Sequence, residues 1–357
     1  MTTPYDADPF RRFGYEAAPE RRRPTMRDVA ARAGVSLKTV SRVVNDEPGV
    51  STALGERVRR AIDELDFRPN FGARNLRRSD GKTYSVGLLV EDVANPFSSA
   101  LQRAVEDVAL PRGVVVFSAS VDEDPARERE LARAFSTRRV DGLILAPIAE
   151  DQSYLETDLR AGTAIVTVDR EPVGLDVDSV VSPNRDGAAE GVRHLVSVGH
   201  RRIAFLGERT AIATARQRHT GYLQALRAEG IAVDPALARH DLSDVALAEA
   251  AAVSLLDSPN PPTALFTAQN LVTIGALRAL RRLGLEREVA VVGFDDFPLA
   301  DLMNPGITVV AQDPGEMGRV AAGVLFRRLG GDRSASQVHT VPTTLVRRGS
   351  GEIAPRR

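Results

Sequence analysis

The sequence predicts a chain of two unlike parts. The first is an all-α helix-turn-helix head with a hinge helix. The second is a two-lobed α/β body of parallel sheets with helices on both faces. Three observations predict this. Residues 25–45, TMRDVAARAGVSLKTVSRVVN, are two short amphipathic segments around a glycine. From Tyr84 onward, short apolar runs alternate with segments of helical period. The charge is also divided: residues 1–82 carry 17 Lys+Arg against 12 Asp+Glu, and the other 275 carry 30 against 36. A basic head on an acidic body is what a chain meeting a polyanion at one end needs.

Bulk composition narrows the class. A length of 357 residues predicts two or three domains, and 43% hydrophobic content is ordinary for a packed core. The chain has no cysteine, which excludes disulfides, thiolate metal sites and cysteine nucleophiles and suits a reducing cytosol. The N-terminal stretch has no apolar signal core, and no run of 18 or more apolar residues occurs, so a cytoplasmic protein without a membrane partner is expected. Residues 1–24 mix Pro, Arg, Asp and Gly without periodicity and are expected to form a disordered tail.

In the head, expected over 25–68, Thr25 with Asp28 three residues later forms a capping-box signal that opens MRDVAARA. Gly34 breaks that helix, and Ser36 can cap the next, from Leu37 to about Val44. On a wheel of about 100° per residue, Val40, Val43 and Val44 share one arc and can pack on the first helix. Leu37, Lys38, Ser41, Arg42 and Asn45 fill the opposing arc. Cations suit guanine O6/N7 and an apolar side chain suits the thymine methyl, so this face fits a DNA groove better than plain solvent. Ser51 or Thr52 starts a third helix carrying Val58, Ile62 and Leu65, which must end before Pro69.

Residues 69–78 follow as a weak hinge helix, short and interrupted by Gly72. Arg74, Arg77 and Arg78 would repel one another there until a polyanion neutralises them, and Leu76 among them has the chemistry of a minor-groove wedge. A plain interdomain linker is the other reading of this composition.

The stretch TMRDVAARAGVSLKTVSRVVN, then VS, then RPNFGARNL resembles the DNA-binding head and hinge of the lactose-repressor/galactose-repressor family over residues 25–77. The resemblance implies that Leu37, Lys38 and Arg42 read base edges in the major groove and that Leu76 enters the minor groove. It places Thr25, Ser36, Thr39, Ser41, Asn45, Asn70 and Arg74 on the phosphates, where contacts position the protein without specifying sequence. Two departures stand out: Leu54-Gly55 replace a polar pair, and Phe67 replaces a tyrosine.

In the body, candidate strands include YSVGLLV, GVVVFSA, DGLILAP, AIVTVD, RIAFLG, TALFTA and VAVVGFDD, separated by helical segments. About 260 residues is large for one such sheet, which predicts two lobes. Ligands of open α/β sheets sit beyond the carboxyl ends of strands. Here those ends carry Asn95 and Phe97, Asp169-Arg170, Gln269-Asn270 and Asp295-Asp296, while Arg216 and Arg218 open a later helix. Carboxylates, amides, guanidinium groups and an aromatic ring suit a hydroxyl-rich small molecule.

The family resemblance extends to about residue 347 as a periplasmic-binding-protein-like effector domain. It implies effector contacts at Asn95, Phe97, Asp169, Arg170, Arg216, Asn270, Asp295 and Gln312. SPNRDGA and QNL depart from the family's usual steps near the cleft, so the ligand cannot be borrowed from a relative. The implied division of 84–347 is a first lobe of about 84–181 and 313–341 and a second of about 182–311 plus a C-terminal strand, with a flexible tail at 348–357.

The function expected is a transcriptional regulator, a repressor acting as a homodimer on a pseudo-palindromic operator under the control of a sugar-like effector, nucleoid-associated when on DNA. No cofactor and no metal are expected. A sugar kinase using Asp295-Asp296 as a catalytic pair is the rival enzyme reading. It lacks GxGxxG, GxxxxGK[ST], GxSxG and HExxH signatures, and the five histidines show no metal spacing. A transport-type binding protein fits the body but would need a signal peptide, and the N-terminal stretch shows no apolar signal core.

Overall fold

A computed structural model describes residues 22, 24–45, 47–68 and 81–356. The expected tail and hinge helix, with Asn70, Arg74 and Leu76, lie outside the described residues. The chain divides into two compact units, Met1–Thr83 and Tyr84–Arg357.

The first unit holds α1 (Met26–Ala33), α2 (Leu37–Val44) and α3 (Thr52–Glu64). The capping box at Thr25 is formed: its amide and hydroxyl each donate to Asp28 Oδ2 at 2.7 Å, and the Asp28 amide returns a 3.4 Å bond. Gly34 closes α1 in the left-handed region at φ 62°, where glycine carries no Cβ penalty. Val29, Val40 and Val58, one from each helix, are fully buried against one another and Phe67. Burial of Phe67 explains its missing hydroxyl, since a phenol there would need a partner. Arg57 of α3 donates to the Ala33 carbonyl at 2.6 Å, tying the third helix to the turn.

The second unit contains two six-stranded sheets. The first is built from β1 (Ser85–Val90), β2 (Val115–Ser120), β3 (Gly142–Leu145), β4 (Ala164–Val168), β5 (Asp178–Val181) and the late β11 (Val338–Thr340), ordered β11-β5-β4-β3-β1-β2 and parallel throughout. The second is built from β6 (Ile203–Leu206), β7 (Ala238–Arg239), β8 (Ala264–Thr267), β9 (Ala290–Phe294), β10 (Thr308–Ala311) and β12 (Thr344–Val346), ordered β12-β10-β9-β8-β6-β7. It is parallel except at its edge, where β12 runs antiparallel to β10. A short strand arriving at the edge from the other lobe needs no crossover helix to run that way.

Helices cover both faces of each sheet. In the first lobe α4 (Pro96–Ala109) and α11 (Pro314–Leu329) cover one face, and α5 (Pro125–Thr137) with the short α6 (Glu156–Arg160) follows the second and third strands. In the second, α7 (Asn184–Ser197) and α8 (Ala213–Ala228) lie on one face, and α9 (Val245–Leu256) and α10 (Asn270–Leu283) on the other. Fully buried strand residues such as Leu88, Ile144, Phe205, Phe266 and Phe294 form the cores. Each stabilises its lobe by roughly 1.5–3 kcal/mol through lost water contact. The chain crosses between sheets after Val181, after Ala311 and after Thr340.

The expected flexible tail over 348–357 is corrected for residues 348–356. Arg348 grips Asp296 with two bonds of 2.7 and 2.6 Å, and the Ser350 hydroxyl donates to the Val291 carbonyl at 2.7 Å. His200 Nε2 bonds the Ile353 carbonyl at 2.8 Å. These are polar attachments to the second sheet and its helices, made without an apolar repeat, so hydropathy gives no sign of them.

Candidate functional site

Two constellations emerge, one in each unit. In the head, Ser36 caps α2 by accepting the Thr39 amide at 3.1 Å, and the two hydroxyls share a 2.9 Å bond. Asn45 Nδ2 donates to Ser41 Oγ at 3.3 Å. Thr25, Ser36, Thr39, Ser41 and Asn45 therefore set helix ends and turns with the same groups expected on phosphates. Leu37 and Lys38 are exposed, Leu37 at 42% and at the border of the valine arc of α2, while Arg42 is half-buried beside Gly49.

In the body, Asp169 ends β4 and Asp295 ends β9, both with φ of 68°. Aspartate tolerates the left-handed region better than most residues, and the turn aims each carboxylate off the end of its sheet. The side chain of Asp295 is nearly surrounded: Gln312 Nε2 donates to Oδ1 at 2.6 Å, and Arg218 Nη1 lies 3.3 Å from Oδ2. Arg218 also donates to Asn184 Oδ1 at 2.7 Å and to the Ala268 carbonyl at 2.8 Å, with its guanidinium 4.0 Å over the Phe294 ring. Gly221, one turn on from Arg218, lets α8 approach α7 so closely that a Cβ would strike the Arg185 carbonyl oxygen. That closeness brings Arg218 within reach of Asn184 at the start of α7.

Arg216, expected as an effector contact, has an exposed side chain turned onto the Thr210 and Ala211 carbonyls, at 2.9 and 2.5 Å. Residues two apart on a helix point about 200° apart, so choosing between Arg216 and Arg218 is choosing a face, and the buried face carries Arg218. A residue pattern of alternating arginines does not say which faces inward without the phase of α8.

Across the cleft, Asn270 Nδ2 donates to Asn95 Oδ1 at 2.9 Å, joining the lobes directly. Asn95 also caps α4 by accepting the Phe97 amide at 3.0 Å, and Phe97 itself packs against the first-lobe core. Arg170 is buried and committed to Glu123, Nη2 to Oε1 at 2.5 Å, with a further bond to the Pro147 carbonyl. Asp169 is held above the usual carboxylate range by burial, which Arg170 and Arg218 only partly offset. A cavity of about 280 Å³ opens beside Asp169 and Arg170 and runs to Asn184 and Thr214 at the starts of α7 and α8. Sequence reasoning missed Glu91, Glu123, Asn184 and Glu208, which lie in loops or at a helix start and fit no spacing pattern.

Asp296 is separate from this group. Burial opposes its charge, yet the Arg348 bonds hold its carboxyl below the usual range, so it anchors the C-terminal segment. Asp295 and Asp296 thus face different partners and make no catalytic pair.

Residues 25–70 match the model for bacterial regulatory proteins of the lacI family, and residues 192–351 match a periplasmic binding protein-like domain. The HTH-type transcriptional regulator PtxS of Pseudomonas aeruginosa is 35% identical over 93% of this chain and 97% of its own length. The chain belongs to the lacI family of bacterial regulatory proteins. The HTH-type transcriptional repressor CytR of Escherichia coli is 32% identical over the same share of this chain and 97% of its own. Among solved structures, the lac repressor dimer bound to operator and an anti-inducer matches with a TM-score of 0.78 and 27% identity, over 92% of this chain and 99% of that one. The CelR–cellobiose complex matches with a TM-score of 0.67 and 33% identity, over 92% and 100%. As a lacI-family member the chain is a transcriptional regulator and not an enzyme, and its architecture is that family's: a helix-turn-helix region ahead of a periplasmic-binding-like α/β domain. Among the described residues, no helix is long and apolar enough to cross a membrane.

Proposed function

We propose that this regulator is a repressor that binds a pseudo-palindromic operator as a homodimer in the bacterial cytoplasm, associating with the nucleoid there, and answers to a polyhydroxylated small molecule held between the lobes. The observation that carries the proposal is the coexistence, in one chain, of an exposed Leu37-Lys38 pair beside a half-buried Arg42 and an interlobe cleft closed by Asn95 and Asn270.

Leu37, Lys38 and Arg42 read base edges; Thr25, Ser36, Thr39, Ser41, Asn45, Asn70 and Arg74 position the head on phosphates; Leu76 enters the minor groove. Asn95, Asp169, Arg170, Asn270, Asp295 and Gln312 surround the effector, with Arg218 in the place assigned earlier to Arg216, and Phe97 walls the first-lobe side. Support comes from relatives: CytR is named a repressor, the lac repressor is seen as a dimer on operator, and CelR is seen with cellobiose.

Exposed apolar side chains supply a self-association surface on each lobe: Val115 and Phe117 along edge strand β2, and Leu299, Leu302 and Met303 in the loop after β9. A two-fold dimer mirrors the two half-sites of a palindrome. Effector changes the relative rotation of the lobes and thereby the spacing of the paired heads.

The test is selection of bound fragments from the genome that encodes this chain, followed by anisotropy titration with a library of sugars. A palindromic consensus released or tightened by one sugar is expected. Enrichment of no sequence over random DNA would overturn the proposal.

A further inference from the structure

We infer that the effector is a cationic, amine-bearing polyol whose ammonium group sits between Glu91 of the first lobe and Glu208 of the second. This rests on reading the interlobe cleft as the effector site and adds the ligand's charge to it.

Glu91 follows β1 and Glu208 follows β6 one residue later, so the two occupy matching places at the carboxyl edges of the two sheets. Among the described residues, neither carboxylate has a hydrogen-bond or ion-pair partner. Glu91 faces Glu208, Glu123, Asp169 and Arg170. Glu208 faces Arg218, Arg170, Glu123 and Asp295. Both available guanidinium groups are already engaged, Arg170 by Glu123 at 2.5 Å and Arg218 by Asp295, Asn184 and the Ala268 carbonyl. At the rim, Arg209 and Arg216 are turned onto backbone carbonyls of Glu123, Thr210 and Ala211. Carboxylates therefore outnumber guanidinium groups in the cleft, five to two. Burial, then the neighbouring carboxylates, push Glu91 up to about 8. Burial also pushes Glu208 up to about 7, against the opposing pull of Arg218 and Arg170.

A second, independent observation lies beside Asp295. The side chain of Gln312 is nine-tenths buried, and its Oε1 has no hydrogen-bond partner while its Nε2 is spent on Asp295. A buried acceptor left open calls for a donor, because an unsatisfied polar group in a dry site is costly. Arg170 Nε likewise has no hydrogen-bond partner, only Asp169 Oδ2 at 3.5 Å, and would take a ligand oxygen. A polyol meets both needs through its hydroxyls, and an ammonium group meets the two free carboxylates. A phosphate or carboxylate on the ligand would instead add like charge to a cleft already rich in it. Because a cation favours the ionised carboxylates, binding releases protons near neutral pH.

The experiment is calorimetry on the full-length protein with matched trios: glucose, glucosamine and glucose 6-phosphate, then the galactose equivalents, with cellobiose and its diamino counterpart beside them. The amine of one set is expected to bind about tenfold or more tighter than its neutral parent. Its heat is expected to vary with the buffer's ionisation enthalpy, and the phosphate should show no binding. The double variant Glu91→Gln with Glu208→Gln should bring the amine down to the neutral sugar's affinity. A neutral or anionic sugar bound as tightly as the amine overturns this inference and leaves the effector cleft standing; silence from every probe counts against both. A ligand-free readout accompanies it: Glu208→Gln alone should raise the melting temperature at pH 8.5 by roughly 2–4 °C, since a like charge is removed. An unchanged or lower melting temperature would mean that these carboxylates have found counterions, and the inference fails.

Discussion

Asn95 and Asn270 meet across the cleft, the Asn270 amide nitrogen donating to Asn95 Oδ1 at 2.9 Å although 175 positions separate them in the chain. Asn95 also caps α4, and Asn270 is the first residue of α10, so one hydrogen bond connects the starts of two helices in different lobes. Any rotation of the lobes that parts these helices must break it. Asn270→Ala leaves a buried amide partner unsatisfied and should lower stability by about 1–3 kcal/mol. Its sharper consequence is for response: operator affinity without ligand should shift, because the clasp no longer biases the lobes. Equal affinity and equal ligand response in the variant would show the bond to be incidental.

Arg218 and Arg216 should separate cleanly. Arg218→Ala strips the buried partner from Asp295 and Asn184, and losing one side of a buried ion pair costs about 3–5 kcal/mol. Effector binding should disappear with it. Arg216→Ala changes an exposed side chain and should keep stability within about 0.5 kcal/mol. Chemical denaturation of both variants checks the order, and a reversed order would restore Arg216 to the cleft.

On DNA, Arg42→Ala should cost roughly 1–3 kcal/mol at the cognate operator and relax preference at one base pair. Equal weakening on random DNA would make Arg42 a phosphate contact. Leu76→Ala should reduce operator bending in a phasing assay while ligand affinity stays as it was; unchanged bending removes the wedge.

The head should be acid-sensitive through its first cap. The Thr25 side-chain and backbone bonds hold the Asp28 carboxyl below its ordinary value. A depressed folded pKa contributes stability that is present above the unfolded value, near 4, and is lost as pH falls through the folded one. Protection factors for amide exchange at Thr25 and Asp28 should therefore fall as pH drops below about 4, and Asp28→Asn should flatten that fall. Identical pH profiles in the two proteins would remove the cap from the account.

How much of this was legible in the sequence differs by region. The first two helices could be read almost to the residue, because Thr25, Gly34 and Ser36 are local signals whose partners lie within four positions. The long apolar strands were readable for the same reason. Strand β11, three residues of mixed exposure, and the polar docking of residues 348–356 were not, since both depend on partners more than 50 positions away. In the body, Asp169, Asn270 and Asp295 stand where strand ends and helix starts announced polar residues, whereas Gln312 came only from the family resemblance. Arg218 required the phase of α8, and Glu91 and Glu208 required knowing that two loops face each other.

The most direct measurement is anisotropy of the full-length protein on its own selected operator, with and without the effector, for the natural sequence, Arg42→Ala and Arg218→Ala. The natural protein should change operator affinity on ligand by about 5- to 150-fold, the range of 1–3 kcal/mol of coupling. Arg42→Ala should bind the operator weakly at every ligand concentration. Arg218→Ala should bind it well and ignore the ligand. An Arg218→Ala protein that still responds to effector as the natural one does would contradict the claim that the cleft governs the head.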